Sequence, residues 1–417
     1  MDQARRASVD LLDGVLGEGR LLSELTGSER FTRLAPEDRA AAQRLAGDVL
    51  RHLGRADRLL SGHLKKAPPL RGQNILRLGT VELAMGGAAH GVVNACVGIA
   101  EGHKRTRALK GLINAVLRKM ADEAPAAWGD LPPARLPDWL RGPLLEAWGR
   151  DAVRGMEVAH QAGAPLDLTA RGAAAALADR LGGTLLPTGS VRLDGRHQVS
   201  ALPGYDAGAF WVQDAAAALP VRLLGDLAGK RALDLCAAPG GKTMQLAAAG
   251  AEVTALDLSA ARLARVQENL DRTKLEARLV QGDALLHEGG PYDVVLLDAP
   301  CSATGTIRRH PDLPHARTGE GISELIELQA RMLDHALTLL APGGRLMFCT
   351  CSLIPDEGEV QIDEALARHP GLSVIPLEAP WIDAAWRSSK GGLRLRPDFW
   401  AERGGMDGFY MACLAKT

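Results

Sequence analysis

The chain has 417 residues, of which 46% are hydrophobic and 24% charged, a balance that suits a soluble globular protein of two or three domains. No apolar run reaches the roughly 18 residues needed to span a membrane, and the start Met1-Asp2-Gln3-Ala4-Arg5-Arg6 does not read as a signal peptide, so a cytoplasmic location is expected. The formal net charge of −1 hides an asymmetry: residues 1–120 hold 20 basic and 12 acidic side chains, and the remainder hold 29 and 38. A basic module joined to an acidic one points to a polyanionic partner, although a solvated helix surface accounts for the charge alone equally well.

Up to residue 121 apolar side chains recur at spacings of three and four, as in Leu45, Val49, Leu50 and Leu53 and again in Leu109, Leu112, Ile113, Val116 and Leu117, which predicts an all-helical domain over 1–121. Pro36-Glu37-Asp38 suits a first helical turn, through proline's preset φ and the match of carboxylates to the helix dipole. Four prolines between Ala124 and Pro143 mark 122–143 as a linker, and mixed signals over 144–228 read as a small α+β subdomain. Regular alternation begins at Arg231: strands at Ala232–Cys236, Val253–Leu256, Arg278–Val280, Asp293–Leu297 and Arg345–Cys349, with helices near Thr243–Ala249, Ala260–Asp271 and Ser323–Leu340. Such alternation over 229–417 implies a parallel, doubly wound α/β sheet.

Ligands of open α/β sheets bind outside the carboxyl ends of the strands. Two cysteines stand there, Cys301 in Asp298-Ala299-Pro300-Cys301 and Cys351 in Thr350-Cys351-Ser352. The other four, Cys96, Cys236, Cys349 and Cys413, read as small buried hydrophobes, with Cys236 also lying in a glycine-rich turn. Neither a disulfide framework nor a metal site is expected from these spacings.

The turn Cys236-Ala237-Ala238-Pro239-Gly240-Gly241-Lys242-Thr243 is the strongest cofactor signal, since glycines let backbone approach a ligand and the next helix offers free N–H groups. A P-loop would need its first glycine where Cys236 stands, which argues against nucleotide hydrolysis despite a Walker-like aspartate at Asp298. Asp257 falls 23 positions after Asp234, near the ~20-residue offset of a ribose-binding carboxylate. Asp283 and Asp298 end the next two strands, so three acids could bracket a nucleoside-type cofactor, or each could cap the element that follows it.

The segments CAAPGGKT from Cys236, DAPCSATG from Asp298, RRHPD from Arg308, CTCS from Cys349 and DGFYMACL from Asp407 resemble the RNA 5-methylcytosine methyltransferases, specifically their RsmB type. AAHGVVNACV from Ala88 and LINAVLRKM from Leu112 resemble the NusB-like RNA-binding domain attached to that type. The resemblance implies a NusB-like domain over 1–121 and a Rossmann-like methyltransferase domain over 229–417. It further implies S-adenosylmethionine as cofactor and a cytosine of small-subunit ribosomal RNA as substrate; apart from it, a monomeric chain acting away from membranes and without metal is expected.

By this resemblance Cys351 adds to C6 of the base as nucleophile and Cys301 assists release, while Cys236, Ala237, Ala238, Pro239, Gly240, Gly241, Lys242, Asp257, Asp283 and Asp298 bind cofactor. Lys242 could also activate the thiolate, and Asp298 could hold the cytosine edge. Arg308, Arg309 and the basic stretch 51–119 are expected on phosphates. A DNA cytosine methyltransferase would use the Pro-Cys thiol, here Cys301, with no need of Cys351, and a decayed binding factor would not be expected to retain both thiols. The sequence departs from the family in Glu357-Gly358-Glu359, where an acidic-Asn-acidic triplet is usual, and at His315, where an aromatic is common.

Overall fold

The computed structural model describes residues 2–195 and 197–416. The chain divides into two compact units, one formed by Met1–Gly163 with Ile307–Gly319, the other by Ala164–Thr306 with Glu320–Thr417.

The first unit is helical: α1 (Asp2–Glu18), α2 (Pro36–Arg51), α3 (Leu53–Ser61), α4 (Leu70–Ala84), α5 (Ala89–Glu101), α6 (Lys110–Ala127) and α7 (Asp138–Ala162). Pro36 opens α2 at its first position. Helix α4 is buried nearly all round, from Asn74 to Val81, and packs against α1, α5 and α6. At Gly79 the approach to α6 is so close that a Cβ would lie 2.7 Å from Leu117, which is why a glycine stands inside a helix there. The buried side of α6, Ile113, Val116, Leu117, Met120 and Ala124, keeps the three-and-four spacing read from the sequence.

The stretch 122–143 is not a linker: α6 continues through Pro125 to Ala127, and α7 begins at Asp138. The buried stripe extends to Ala124 and holds the helix past the point where proline removes a hydrogen bond. Helix α7 then runs on through a non-helical Gly149, at φ 78°, so that residues 144–163 join the helical unit and not the α+β subdomain. Residues 307–319 also belong here. Asp312 Oδ2 accepts the Leu22 N–H at 2.8 Å, Trp139 Nε1 donates to the Pro314 carbonyl at 3.0 Å, and Arg51 Nη2 donates to the Arg308 carbonyl at 2.6 Å.

The second unit holds two sheets. A small antiparallel sheet has the order β2-β3-β1-β4, from β1 (Leu166–Ala170), β2 (Thr184–Leu185), β3 (Val191–Leu193) and β4 (Phe210–Val212), with α8 (Ala174–Leu181) beside β3. Across it runs a buried ion pair: Arg192 of β3 donates to both oxygens of Asp167 of β1, at 2.7 and 2.6 Å. The same guanidinium reaches the carbonyls of Arg403 and Gly405.

The large sheet has the order β10-β12-β9-β8-β5-β6-β7. Its parallel part comprises β5 (Arg231–Leu235), β6 (Glu252–Asp257), β7 (Arg278–Gln281), β8 (Tyr292–Asp298) and β9 (Leu340–Thr350), as the alternation predicts. Helices α9 (Gly241–Ala248), α10 (Ala260–Thr273) and α11 (Ile322–Thr338) connect these strands. The sheet is not parallel throughout, however. Following α12 (Glu359–Arg368), β12 (Phe409–Lys416) pairs antiparallel with β9, and β10 (Leu372–Ile375) and β11 (Leu393–Leu395) pair antiparallel with β12.

Both faces of the central strands are buried. Leu233, Val295, Leu297, Leu346 and Phe348 face a core shared with α11, while Ala232, Val294, Leu296, Met347 and Cys349 face the opposite one. That explains the unbroken apolar runs of β8 and β9, each large side chain contributing about 1.5–3 kcal/mol by burial. The parallel register brings Leu235 opposite Leu297 and Asp298 opposite Cys349, so β5, β8 and β9 end together.

Candidate active site

The glycine-rich turn leaves β5 at Cys236, whose φ of 64° starts the reversal, and Gly240 completes it at φ 97°. A side chain at Gly240 would also meet Val266 of α10 at 3.0 Å. The turn is pinned at several points: Ala237 N–H donates to the Leu256 carbonyl at 3.0 Å and Ala238 N–H to Asp257 Oδ2 at 3.1 Å. Gly240 N–H donates to the Ala237 carbonyl at 2.8 Å. The first helical bond of α9 runs from Met244 N–H to the Gly240 carbonyl, so the N–H groups of Gly241, Lys242 and Thr243 have no acceptor within the helix.

The acids divide by what they touch. Asp257 is buried and holds the turn, its other oxygen accepting the Ser259 N–H at 3.0 Å. Asp283 is exposed at the end of β7 and accepts the Leu285 N–H at 2.9 Å, so in this structure it caps the short turn after the strand. Asp298 accepts Lys242 Nζ at 2.7 Å through Oδ2, while Oδ1 accepts the Cys349 thiol at 3.5 Å. Asp234, buried below the turn, accepts the Thr243 hydroxyl at 2.6 Å through Oδ2, and its Oδ1 has no partner.

Burial alone would lower the Lys242 ammonium, but Asp298, Cys349 and Asp234 together hold it above its ordinary range and therefore charged. Lys242 also lies 5.1 Å above the Phe409 ring on β12. Its hydrogen bond goes to Asp298 and to neither candidate thiol.

The two cysteines meet: Cys301 Sγ and Cys351 Sγ are 3.5 Å apart. The hydrogen bond to Cys351 is the foremost influence on Cys301, and with burial and the nearby Glu357 carboxylate it keeps the Cys301 thiol protonated well above the usual range. In that contact either thiol can be the donor. The loops carrying them are laced by backbone as well, with Ala299 N–H on the Cys349 carbonyl at 3.0 Å and Gly305 N–H on the Cys351 carbonyl at 2.9 Å. Cys349 is fully buried, and Cys96 and Cys413 are buried too. Burial pushes the Cys236 thiol up to about 12, away from reactivity.

Known sequence families match both parts of the chain. The sequence model described as 16S rRNA methyltransferase RsmB/F matches residues 222–415, and that of the NusB family matches residues 2–122. The ribosomal RNA small subunit methyltransferase B of Erwinia tasmaniensis is 35% identical over 445 residues, covering 100% of this chain and 99% of its own.

This chain belongs to the RsmB/F family.

The relative of the same name from Pseudomonas putida is 37% identical over 446 residues, spanning 99% of this chain and 98% of its own. Among solved structures, PH0851 shares the fold across 100% of this chain and 99% of its own, with a TM-score of 0.76 at 21% identity. A methyltransferase homolog protein from Pyrococcus horikoshii matches 67% of this chain and 95% of its own, with a TM-score of 0.58 at 27% identity.

Against this RsmB/F background one expectation is corrected. Arg308 is 1% exposed and packed within the helical unit, so it cannot reach a phosphate, whereas Arg309 is exposed. His315 also turns inward, with Nε2 3.3 Å from the Leu50 carbonyl.

The departure at Gly358 has a steric reason. A Cβ there would collide with the Arg394 guanidinium, which forks onto both oxygens of Glu359, at 3.0 and 2.5 Å, and donates to the Ser352 carbonyl. Sequence reasoning passed over Ser302 and Gln329 and marked Glu357 only as part of a departing triplet; the three are hydrogen-bonded together beside the loops of the two thiols. The signal was present, as each of the two strand-end cysteines is followed by serine, in Cys301-Ser302 and Cys351-Ser352.

Proposed function

We propose that this chain methylates C5 of a cytosine in small-subunit ribosomal RNA, with S-adenosylmethionine as donor, through a thioether between Cys351 and C6 of the base. The observation that carries this reading is the 3.5 Å approach of the two thiols where β8 and β9 end together.

The residues present fit the cofactor. Free N–H groups at the start of α9, the buried Asp257 beside the turn, Asp283 at the end of β7 and Asp298 at the end of β8 offer the donors and carboxylates that a cationic nucleoside needs. When bound, S-adenosylmethionine supplies a methyl group on a positively charged sulfur.

C5 of cytosine is a poor nucleophile until a thiolate adds to C6. Cys351 forms that S–C6 bond, and the electrons of the C5–C6 double bond move into the ring, making C5 electron-rich. Once C5 carries the methyl group, loss of its proton to a base restores the C5–C6 double bond and expels the Cys351 sulfur with its electron pair. Cys301, protonated and 3.5 Å away, donates a hydrogen bond to that departing sulfur. Lys242 and Asp298, joined at 2.7 Å, orient the base edge. The target cytosine lies in a loop or is flipped out, because an RNA helix buries its base edges. Exposed Lys65, Lys66, Lys104, Arg105, Arg118 and Lys119 on the NusB-family unit contact phosphates.

Incubation with methyl-labelled S-adenosylmethionine and ribosomal RNA lacking 5-methylcytosine should place label on C5 of one small-subunit cytosine. Label on a purine, or on ribose, would refute the reading.

A further inference from the structure

Glu357 has no exposed surface, and hydrogen bonds occupy all four lone-pair positions of its carboxylate. Oε1 accepts the Ser302 N–H at 2.8 Å and Gln329 Nε2 at 3.1 Å. Oε2 accepts the Ser302 hydroxyl and the Ser352 hydroxyl, the latter at 2.6 Å. Its backbone carbonyl takes the Thr350 hydroxyl at 2.8 Å, and Gln329 itself donates to the Pro300 carbonyl at 2.8 Å. The residues it holds flank the two thiols: Ser302 directly and Pro300 through Gln329 around Cys301, Thr350 and Ser352 around Cys351. The two serine hydroxyls are themselves 3.2 Å apart.

We propose that Glu357 is a positioning residue, a buried anionic clamp that holds the Cys301 and Cys351 loops at their working separation; this rests on the function proposed above. It is not the base that takes the C5 proton, since no lone pair remains for a substrate. Bonds to an ionised carboxylate are roughly twice as strong as neutral ones, which suits a tie that must fix two loops from different strands. The carboxylate grips the Cys301 side through both the N–H and the hydroxyl of Ser302, and the Cys351 side through the Ser352 hydroxyl. The Thr350 hydroxyl is held by the Glu357 backbone carbonyl, which a side-chain change leaves in place. Cys351 is additionally held by the strand it ends. Loosening the clamp therefore disturbs Cys301, and so release, more than it disturbs addition by Cys351.

The test compares the full-length wild type with Glu357→Gln, Ser302→Ala and the control Cys301→Ala. Each is assayed for thermal midpoint, S-adenosylmethionine affinity, single-turnover methyl transfer to ribosomal RNA, and RNA adduct surviving denaturing electrophoresis. Glu357→Gln keeps the shape but removes the charge and two acceptor positions. It should slow transfer by about 10- to 100-fold, the cost of misplacing reacting groups by up to about 1 Å, with unchanged cofactor affinity and with more trapped adduct than wild type.

Wild-type rates in Glu357→Gln would overturn the clamp. So would a slow variant with no excess adduct, the mark of a general structural defect. If Glu357→Gln does not fold, Ser302→Ala decides by the same two outcomes. If Cys301→Ala itself traps no adduct, the release chemistry and this inference fall together; if it does and the clamp variants do not, the clamp alone falls.

Discussion

Asp234→Asn tests how the foot of the glycine-rich turn is built. Asp234 is fully buried, and burial pushes its carboxyl from an ordinary 3.8 up to about 7, with Asp298 and Asp257 acting in the same direction and the Thr243 hydroxyl and Lys242 opposing. Below about pH 4 both folded and unfolded chains hold the proton, and its titration costs nothing. Between about pH 4 and 7 the unfolded chain releases the proton while the folded chain keeps it, so stability falls by about 1.4 kcal/mol per pH unit, about 4 kcal/mol in all, the loss being complete above about pH 7.

The amide has no such slope. It carries a constant cost instead, because its N–H2 would occupy the place of Oδ1, which has no partner, leaving a buried donor unsatisfied at about 1–3 kcal/mol. The protonated acid carries a comparable unpartnered donor on Oδ1, so the variant should be close to the wild type in stability at pH 4 and the more stable protein at pH 8, by up to about 4 kcal/mol. Urea unfolding at half-unit pH steps from 4 to 8, read on the unit that contains Asp234, measures the difference. Two stability curves running parallel over that range would show that Asp234 does not titrate there, and the reasoning would be wrong.

Four further outcomes are expected. Cys351→Ala should abolish methyl transfer while leaving S-adenosylmethionine binding intact by calorimetry; substantial residual turnover would remove its role as nucleophile. Cys301→Ala should accumulate a protein–RNA adduct stable to denaturing electrophoresis, and a clean gel would remove its part in release. Asp167→Ala should destabilise the second unit by about 3–5 kcal/mol in chemical denaturation, because it strands the buried Arg192 guanidinium without its partner charge. Neutralising Lys104, Arg105, Arg118 and Lys119 should flatten the salt dependence of RNA affinity, by up to about 0.7–0.9 in log–log slope for each phosphate no longer paired with a cation; an unchanged slope would place the phosphates elsewhere.

Much of the site could be read in the sequence because its parts lie at strand ends. Apolar runs mark where β5, β8 and β9 stop, and Cys236, Asp298 and Cys351 follow at or just beyond those stops. Strand alternation also placed Cys349 in the core. What escaped depends on contacts between residues far apart in the chain. Nothing local says that Arg308 is buried: two successive arginines before a histidine look like a phosphate contact until the segment is seen packed against Leu22, Arg51 and Trp139. Pro125 looks like a break until the buried Ala124 before it is seen. Phe409 to Leu414 was recognisable as a motif, but its antiparallel pairing with β9 is a matter of register over some 60 residues of separation. Glu357 was noticed only for the glycine beside it, since its role lies in partners 5, 28 and 55 positions away.

The helical unit is completed by thirteen residues, 307–319, that come from the middle of the methyltransferase sequence. The polypeptide thus passes between its two units three times and not once. A chimera spliced at a single junction near residue 163 would separate Leu22, Arg51 and Trp139 from the carboxylate and carbonyls they bond in that segment. Exchange of either unit between relatives, by recombination or by engineering, must therefore carry this segment along with the helices that hold it.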